Sequence, residues 1–454
     1  MKGKKVLVIG MGRSGIAATY ALVDAGAVVS VQDSKSEEQI DKAFVDYLNE
    51  KGVSKYLGSI PEDMSVFDVL VLSPGVPPQL AFVEEARKNG AEIIGELELA
   101  YRLGKGHYIA ITGTNGKTTT TTLVGEIYKA AGCDTEVAGN IGIAVISKAM
   151  AASDDTCLVT ETSSFQLETI DQFHPVVSAI LNLTPDHMDR HKTMENYGRA
   201  KAAVFKNQTK DEYCILNYDD KACFELAERE GCNATVVPFS RKEALDFGAF
   251  VQDGQIVIKD QKGEIIPICG ADELQIPGSH NLENALAAAA ITYFGGISKD
   301  VIAQVLRTFA GVEHRIEACG ELNGVRFVND SKGTNPDAAI KAIEAMKENI
   351  LLIAGGYDKG STYDEFVAAF DGRVKKLILL GKTAPKIKET AEAAGFHDII
   401  MASDMEDCVT KAYNAAEEGD VVLLSPACAS WDMYDNFEQR GDHFKSCVQS
   451  LAKK

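Results

Sequence analysis

The chain has 454 residues, 45% hydrophobic and 25% charged, with 66 acidic against 46 basic side chains and a formal net charge of −20. That length exceeds what one core organises and predicts about three domains; the acidic balance argues against nucleic acid or an anionic membrane as partner, so any phosphate must be held locally by backbone amides, a few placed cations and metal. Ten cysteines stand singly without a C-x-x-C pair, which argues against a zinc site or disulfide framework and for a reducing cytosol.

Alternating apolar runs and helical stretches predict an α/β protein of three domains. These are a Rossmann-like domain over residues 1–95, a central P-loop ATPase-type α/β domain over 96–312 with a small antiparallel excursion, and a Rossmann-like α/β domain over 313–454. The first apolar run, Val6-Leu7-Val8-Ile9, reads as a buried strand and is too short for a signal peptide. Gly10-Met11-Gly12-Arg13-Ser14-Gly15 follows, then a helix over residues 16–24 stopped by Gly26, then a strand over 28–32 ending on Asp33. A G-x-G-x-x-G turn with an acid at the end of the second strand suits a nucleotide diphosphate and its ribose, and an NAD-dependent dehydrogenase carries the same pattern. A strand over residues 69–72 runs into Ser73-Pro74-Gly75-Val76-Pro77-Pro78, either a ligand loop or a plain connection.

The most specific stretch opens the second domain. An apolar run over residues 108–112 leads into Gly113-Thr114-Asn115-Gly116-Lys117-Thr118-Thr119, and a helix is expected over 120–131. Backbone N–H groups of such a turn and the helix N-terminus face nucleotide phosphates, the lysine reaches the outer ones, and the threonine hydroxyl ligates Mg²⁺. Ile111 stands where the usual phosphate loop has glycine, making this a shorter G-x-x-G-K-T variant. Strands follow over 158–161 and 176–181. Glu161, ending the first of them, is placed either to hold Mg²⁺ or to cap a helix, and Thr162-Ser163-Ser164-Phe165-Gln166 is small and polar. Asp186-His187-Met188-Asp189-Arg190-His191 reads as a metal or proton-transfer site, with Asp186 and Asp189 orienting His187, or as a charged surface loop. A helix follows at Tyr197-Gly198-Arg199-Ala200-Lys201-Ala202-Ala203, where spacing alone does not single out Lys201. Residues 247–268 alternate as short strands, and helical text resumes at His280-Asn281-Leu282-Glu283-Asn284 before an alanine-rich run, 285–294, too short to span a bilayer.

In the third domain strands are expected over 325–329, 350–354, 377–380 and 421–424. Polar loops follow three of them: Asn329-Asp330-Ser331-Lys332-Gly333-Thr334-Asn335-Pro336, Gly355-Gly356-Tyr357-Asp358-Lys359-Gly360 and Ser425-Pro426-Ala427-Cys428-Ala429-Ser430. Pro336 is set to open a helix. The loops form either a second ligand site on one sheet edge or unrelated connections.

Taken together, these stretches resemble one family over essentially the whole chain, the ATP-dependent Mur ligases of peptidoglycan synthesis. The phosphate loop, Glu161, Asp186-His187, Lys201, His280-Asn281-Leu282-Glu283-Asn284 and His314-Arg315 fall in the family's order and spacing. The Asn329 and Ser425 loops, the latter continuing to Phe437-Glu438-Gln439-Arg440-Gly441, are similar to the D-glutamate-adding branch, and the Asp-Asn-Pro-Arg signature of the diaminopimelate- or lysine-adding branch is missing. Folylpolyglutamate synthases share the central domain but lack such a first segment. The resemblance implies ATP-dependent addition of D-glutamate to UDP-N-acetylmuramoyl-L-alanine through an acyl phosphate, releasing ADP and phosphate, by a monomeric bacterial cytoplasmic enzyme with small-molecule partners.

The resemblance also implies roles. Lys117, Glu161, His187, Lys201 and Lys332 would be catalytic. Thr118 and Glu161 would hold one Mg²⁺; His187 and a carbamylated Lys201, its amine neutral at a lowered pKa, would hold a second. ATP would lie on Gly113, Thr114, Asn115, Gly116, Lys117, Thr118, Thr119, Asn281, Asn284, His314, Arg315 and Asp330. The UDP-sugar would lie on Gly12, Arg13, Ser14, Asp33, Ser34, Gly75, Asn140 (in Gly139-Asn140-Ile141-Gly142), Ser163 and His187. D-Glutamate would meet Lys332, Thr334, Lys359, Ser430 and Phe437. Lys35, Gly333 and Tyr357 depart from common family choices and bear on the uracil and glutamate contacts. Alternatives are another amino-acid-adding Mur ligase, an NAD-dependent oxidoreductase, which leaves Lys117, Glu161 and the third domain unused, and an ATP-switched binding protein, which needs neither Lys332 nor Lys359.

Overall fold

A computed structural model of the chain describes residues 1–140, 142–276, 278–346 and 349–451. Ile141, in the Gly139–Gly142 stretch, lies outside the described residues. The first sheet contains β1 (Lys5–Ile9), β2 (Val28–Asp33), β3 (Ser54–Leu57), β4 (Val69–Leu72) and β5 (Glu92–Gly95). All pairings are parallel, in the order β3-β2-β1-β4-β5. Strand order reverses between β1 and β4, and in open α/β sheets ligands bind in the crevice beyond the strand ends there. The glycine loop after β1 and the Ser73 turn after β4 flank that crevice, joined by Ser73 Oγ donating to Gly10 O at 2.7 Å. The first helix, Arg13–Asp24, begins at Arg13 rather than Ile16, because its first turn, Arg13-Ser14-Gly15, carries no apolar period.

The second sheet is larger than the sequence reading expects. It comprises β6 (His107–Thr112), β7 (Thr135–Gly139), β8 (Cys157–Glu161), β9 (Val177–Ile180), β10 (Tyr213–Asn217), β11 (Thr235–Ser240), β12 (Gly248–Gln252), β13 (Gln255–Lys259) and β14 (Ile265–Gly270). The order is β14-β13-β12-β11-β10-β9-β6-β8-β7. The expected antiparallel excursion is the end of this sheet: β12 runs parallel to β11, and β13 and β14 extend it antiparallel. Asp253 and Gly254, both at positive φ (50° and 75°), turn the chain tightly between β12 and β13. The phosphate loop follows β6, at the sheet's parallel centre, so the expected α/β placement holds.

The third sheet contains β15 (Glu317–Leu322), β16 (Val325–Asn329), β17 (Ile350–Ala354), β18 (Val374–Leu379), β19 (Ile399–Met401) and β20 (Val421–Leu424), ordered β15-β16-β20-β17-β18-β19. Only β15 is antiparallel. Along β17, Ile350, Leu352 and Ala354 enter the core on one face, with Phe366 and Leu377, while Leu351 and Ile353 enter the other, with Ile378 and Phe444. Adjacency of β16, β20 and β17 brings the three polar loops to one edge of the sheet.

The chain forms two compact units, residues 1–183, 195–272 and 284–306 in one, and 184–194, 273–283 and 307–454 in the other. The first two sheets belong to the first unit. There the helix Glu96–Leu103 buries Glu98, whose carboxylate accepts the N–H groups of Asp171, Gln172 and Phe173 at 2.8, 2.9 and 3.0 Å. Among the described residues no helix is long and apolar enough to cross a membrane.

Candidate active site

The helix after the phosphate loop runs Lys117–Ala130, starting at Lys117 rather than Thr120 because its threonine-rich first turn has no apolar period. Gly116 caps it at φ 80°, and a Cβ there would meet Asn284 Oδ1 at 2.2 Å, so only glycine fits. Asn284 Oδ1 also accepts from Thr120 Oγ1 at 3.3 Å. Asn182 braces the loop from β9: its Oδ1 accepts from Asn115 N at 2.8 Å and its Nδ2 donates to Asn115 O at 3.1 Å. Lys117 curls back, Nζ donating to Gly113 O and Thr114 O at 3.0 and 2.7 Å.

Glu161 ends β8 at 3% exposure. Its Oε2 accepts from Thr118 Oγ1 at 2.7 Å and its Oε1 from Asn140 Nδ2 at 3.1 Å. The helix cap falls instead to Ser163, which shares a capping box with Gln166 ahead of the helix Ser164–Leu167. A hydroxyl and a buried carboxylate beside phosphate-facing amides are hard oxygen donors of the kind Mg²⁺ takes, and among the described residues no ion pair engages Glu161. The donor set thus fits the metal.

Lys201 lies on the helix Met194–Ala202 at 1% exposure, Nζ donating to Gly113 O at 2.7 Å and standing 4.5 Å from the Tyr197 ring centroid. Tyr197, four positions earlier, is on the same helix face, and its hydroxyl donates to Thr114 Oγ1 at 3.3 Å. Both therefore touch the phosphate loop.

On the first sheet, Asp33 braces the glycine loop: its Oδ2 accepts from Met11 N at 2.6 Å, and its Oδ1 from Lys35 N at 2.8 Å, with Ser34 Oγ at 3.5 Å. A Cβ on Gly15 would lie 1.9 Å from Gly10 O, so the helix approaches β1 as closely as a pyrophosphate cradle requires. Gly12 caps that helix, Arg13 Nη1 reaches Gly142 O at 3.1 Å, and Ser14 and Gly75 remain accessible beside them.

In the second unit, Arg315 Nη1 donates to Asp330 Oδ1 at 3.1 Å and Ser425 Oγ donates to Asp330 Oδ2 at 2.8 Å. Burial pushes the Asp330 carboxyl up from its ordinary value, opposed by Arg315 and Ser425. His314, buried at φ 62°, lies with Nδ1 3.0 Å from Asn329 Nδ2. Lys332 Nζ stands 5.0 Å from the Phe437 ring centroid, and Thr334 N donates to Lys332 O at 2.9 Å. Ser430 is buried. Lys359 Nζ donates to Asp186 Oδ1 at 2.9 Å, with 8% and 11% of the two side chains exposed. The same carboxylate accepts from Asn335 Nδ2 at 3.3 Å and lies 3.5 Å from His187 Nε2. Asp186 is thus the acid beside His187; among the described residues Asp189 makes no such contact, its carbonyl instead accepting from Lys192. Asn281 is buried in this unit, whereas Asn284, later in the same helix Ser279–Phe294, belongs to the first.

Spacing did not reveal Asn182, Tyr197 or Arg440. Arg440 donates from Nε to Ser331 Oγ (3.0 Å), from Nη2 to Ser331 O (2.7 Å) and from Nη1 to Cys428 O (3.1 Å), tying two of the three polar loops together. Burial pushes its guanidinium down to about 10. Its one sequence signal was membership of the Phe437–Gly441 stretch.

A phosphate loop backed by a buried acid and lysine, in a chain whose other two sheets each carry polar loops at their strand ends, defines a nucleotide-using enzyme. Family models match in three places: "Mur ligase MurD-like, N-terminal domain" over residues 4–95, "Mur ligase middle domain" over 111–292 and "Mur ligase, glutamate ligase domain" over 314–428. The chain belongs to the Mur ligase family. It is 54% identical over 458 residues to the UDP-N-acetylmuramoylalanine--D-glutamate ligase of Alkaliphilus oremlandii, covering 100% of both chains, and 49% identical over 453 residues to the ligase of that name from Clostridioides difficile, covering 99% of both. Among solved structures it shares its fold with a pseudomurein peptide ligase type C from Methanothermus fervidus (TM-score 0.63, 18% identity, 99% of this chain and 100% of that one).

Proposed function

We propose that this enzyme joins D-glutamate to the L-alanyl carboxylate of UDP-N-acetylmuramoyl-L-alanine at the expense of ATP, in peptidoglycan precursor synthesis. Whole-chain kinship with ligases named for that reaction supports the choice of amino acid. The observation that carries the phosphoryl-transfer chemistry is the 2.7 Å contact between Thr118 and buried Glu161 at the phosphate loop.

The substrate carboxylate attacks the γ-phosphorus, ADP leaves, and an acyl phosphate forms; the amine of D-glutamate then adds to the acyl carbon, losing a proton, and inorganic phosphate departs. Mg²⁺, when bound, draws charge from the β- and γ-phosphates. The chain's own residues orient and neutralise. Amides over residues 113–119 and Lys117 hold the phosphates; Thr118 and Glu161 hold the metal. Asn281, Asn284, His314, Arg315 and Asp330 are assigned to the rest of ATP. Gly12, Arg13, Ser14, Asp33, Ser34, Gly75, Asn140, Ser163 and His187 are assigned to the sugar nucleotide. Lys332, Thr334, Lys359, Ser430 and Phe437 are assigned to D-glutamate, whose two carboxylates call for cationic partners. A second Mg²⁺ is proposed, served by His187 and a carbamate on Lys201, a buried lysine beside the phosphate loop. We further propose functional boundaries at residues 1–95, 96–312 and 313–454, and a monomer working in the bacterial cytoplasm.

Phosphate release is the test, with ATP, Mg²⁺, UDP-N-acetylmuramoyl-L-alanine and one amino acid at a time. D-Glutamate alone should drive it. Release with another amino acid instead would move the chain to a different Mur specificity, and no release with any would end the ligase reading.

A further inference from the structure

Between Gly139 and Ile146, three described residues, Asn140, Gly142 and Ile146, are each held from outside the stretch. At one end Asn140 donates from its backbone to Glu161 O at 2.9 Å and from Nδ2 to Glu161 Oε1 at 3.1 Å. In the middle Gly142 O accepts from Arg13 Nη1 at 3.1 Å. At the other end Ile146 N donates to Glu96 Oε1 at 2.7 Å. Glu96 is the first residue of the helix joining the first two sheets, and 2% of it is exposed. Its second oxygen, Oε2, has no hydrogen-bond partner among the described residues. A buried carboxylate with one oxygen unpaired is costly, and the contact it secures must offset that cost.

We propose that Glu96 is a positioning residue for the sugar-nucleotide substrate, fixing the far end of the 139–146 loop so that Asn140 and the Gly142 carbonyl keep their places beside Arg13 and Glu161. The proposal rests on the assignment of Asn140 and Arg13 to that substrate. Glu96 itself touches no reacting atom. Its carboxylate holds the first turn of the helix Val145–Ala149, and that turn holds the loop. Without it the helix keeps the burial of Val145 and Ile146 but loses the hydrogen bond that fixes its first turn, and the group that suffers is the one the loop presents.

The test uses the full-length enzyme with each of the three substrates varied in turn, for Glu96→Ala, Glu96→Gln, Glu96→Asp and Asn140→Ala. Loss of one buried hydrogen bond should raise KM for the sugar nucleotide roughly tenfold in Glu96→Ala, leaving KM for ATP and D-glutamate within about twofold. Glu96→Gln keeps an acceptor for Ile146 N and should restore the native value within about threefold. Glu96→Asp draws the acceptor back by one methylene and should show the same selective rise in smaller degree, deciding the matter should the alanine variant fail to fold. Equal changes in all three KM values, or none, while Asn140→Ala raises KM for the sugar nucleotide, would overturn the role of Glu96 alone. An unchanged sugar-nucleotide KM in Asn140→Ala would remove the loop assignment, and this proposal with it.

Discussion

Replacing Glu161 by glutamine separates charge from shape at the heart of the site. The native carboxylate accepts from Thr118 Oγ1 at 2.7 Å and from Asn140 Nδ2 at 3.1 Å. A glutamine can keep both contacts: its Oε1 accepts from Asn140, and its Nε2 donates to a Thr118 hydroxyl turned through its free torsion. At 3% exposure the native charge carries a desolvation cost that the amide avoids. Stability should therefore stay within about 1 kcal/mol of native. The metal site loses a full negative charge. A pair of unit charges about 4 Å apart at an effective dielectric of about 20 is worth roughly 4 kcal/mol, and each 1.4 kcal/mol is about tenfold, so Mg²⁺-dependent turnover should fall by roughly 10³. The assay is initial rate against Mg²⁺ concentration at saturating substrates, beside a thermal melt. The expected result is an unshifted melt, a large fall in rate, and a half-saturating Mg²⁺ concentration moved upward. A rate and Mg²⁺ dependence within about threefold of native would refute the placement of the metal at Thr118 and Glu161. A melt that collapses along with the rate would show that Glu161 is a structural brace.

Gly15→Ala puts a methyl group 1.9 Å from Gly10 O, a backbone atom that cannot turn aside; it should cost about 1–3 kcal/mol of stability and raise KM for the sugar nucleotide while leaving KM for ATP near native, and a native melt and KM would refute the close-approach reading. Lys359→Met takes the ammonium 2.9 Å from Asp186 out of a nearly buried pair, leaving Asn335 and His187 beside the carboxylate; KM for D-glutamate should rise at least about tenfold, with about 3 kcal/mol of stability lost, and a chemical melt with a glutamate titration checks both. Lys201→Ala should reduce turnover far more than ATP affinity, read by nucleotide binding beside steady-state rates, and a carbamate signal from ¹³C-labelled bicarbonate should vanish with it; equal turnover would remove the carbamate from the mechanism. Burial pushes the Glu96 carboxyl up to about 7 from 4.5. Because the folded state holds the proton more tightly than the unfolded one, this residue's contribution to stability is greatest below about 4.5 and is lost as pH rises through about 7, a difference of about 3 kcal/mol. Glu96→Gln should therefore melt higher than native at pH 8, with the gap closing by pH 5; a gap independent of pH would contradict the raised value.

What could be read from the chain follows from where backbone geometry dictates residue type. Gly116 must be glycine because of its φ and its neighbour Asn284, Asp33 must end β2 to meet the Met11 amide, and Asn335-Pro336 must cap and open a helix, so each left a local mark. Strands β3, β15 and β19 left almost none, being edge strands without a single fully buried residue: too little of each is inside to demand an apolar pattern. The hairpins of β12 to β14 carried their pattern plainly, yet alternation says only that a strand is half-buried, not which sheet it joins. The partners of site residues were hidden for a different reason. Asn140 meets Glu161 across 21 positions because β7 lies beside β8, and strand order is a property of the sheet rather than of any window of sequence; Asp186 meets Lys359 across 173 positions because residues 184–194 pack with the third sheet in one unit. Tyr197 meets Lys201 one helical turn away, a local contact, but its hydroxyl meets Thr114 across 83 positions, and that partner no window of sequence shows. Family resemblance therefore supplied the residues assigned to ligand, and the structure supplied their partners within the protein. A ligase whose ligand-assigned residues were all kept but whose Asn182 and Glu96 were exchanged for small apolar ones would preserve every quoted motif and still lose the acceptors that fix the amides of Asn115 and Ile146, so part of the geometry of both loops would go with them.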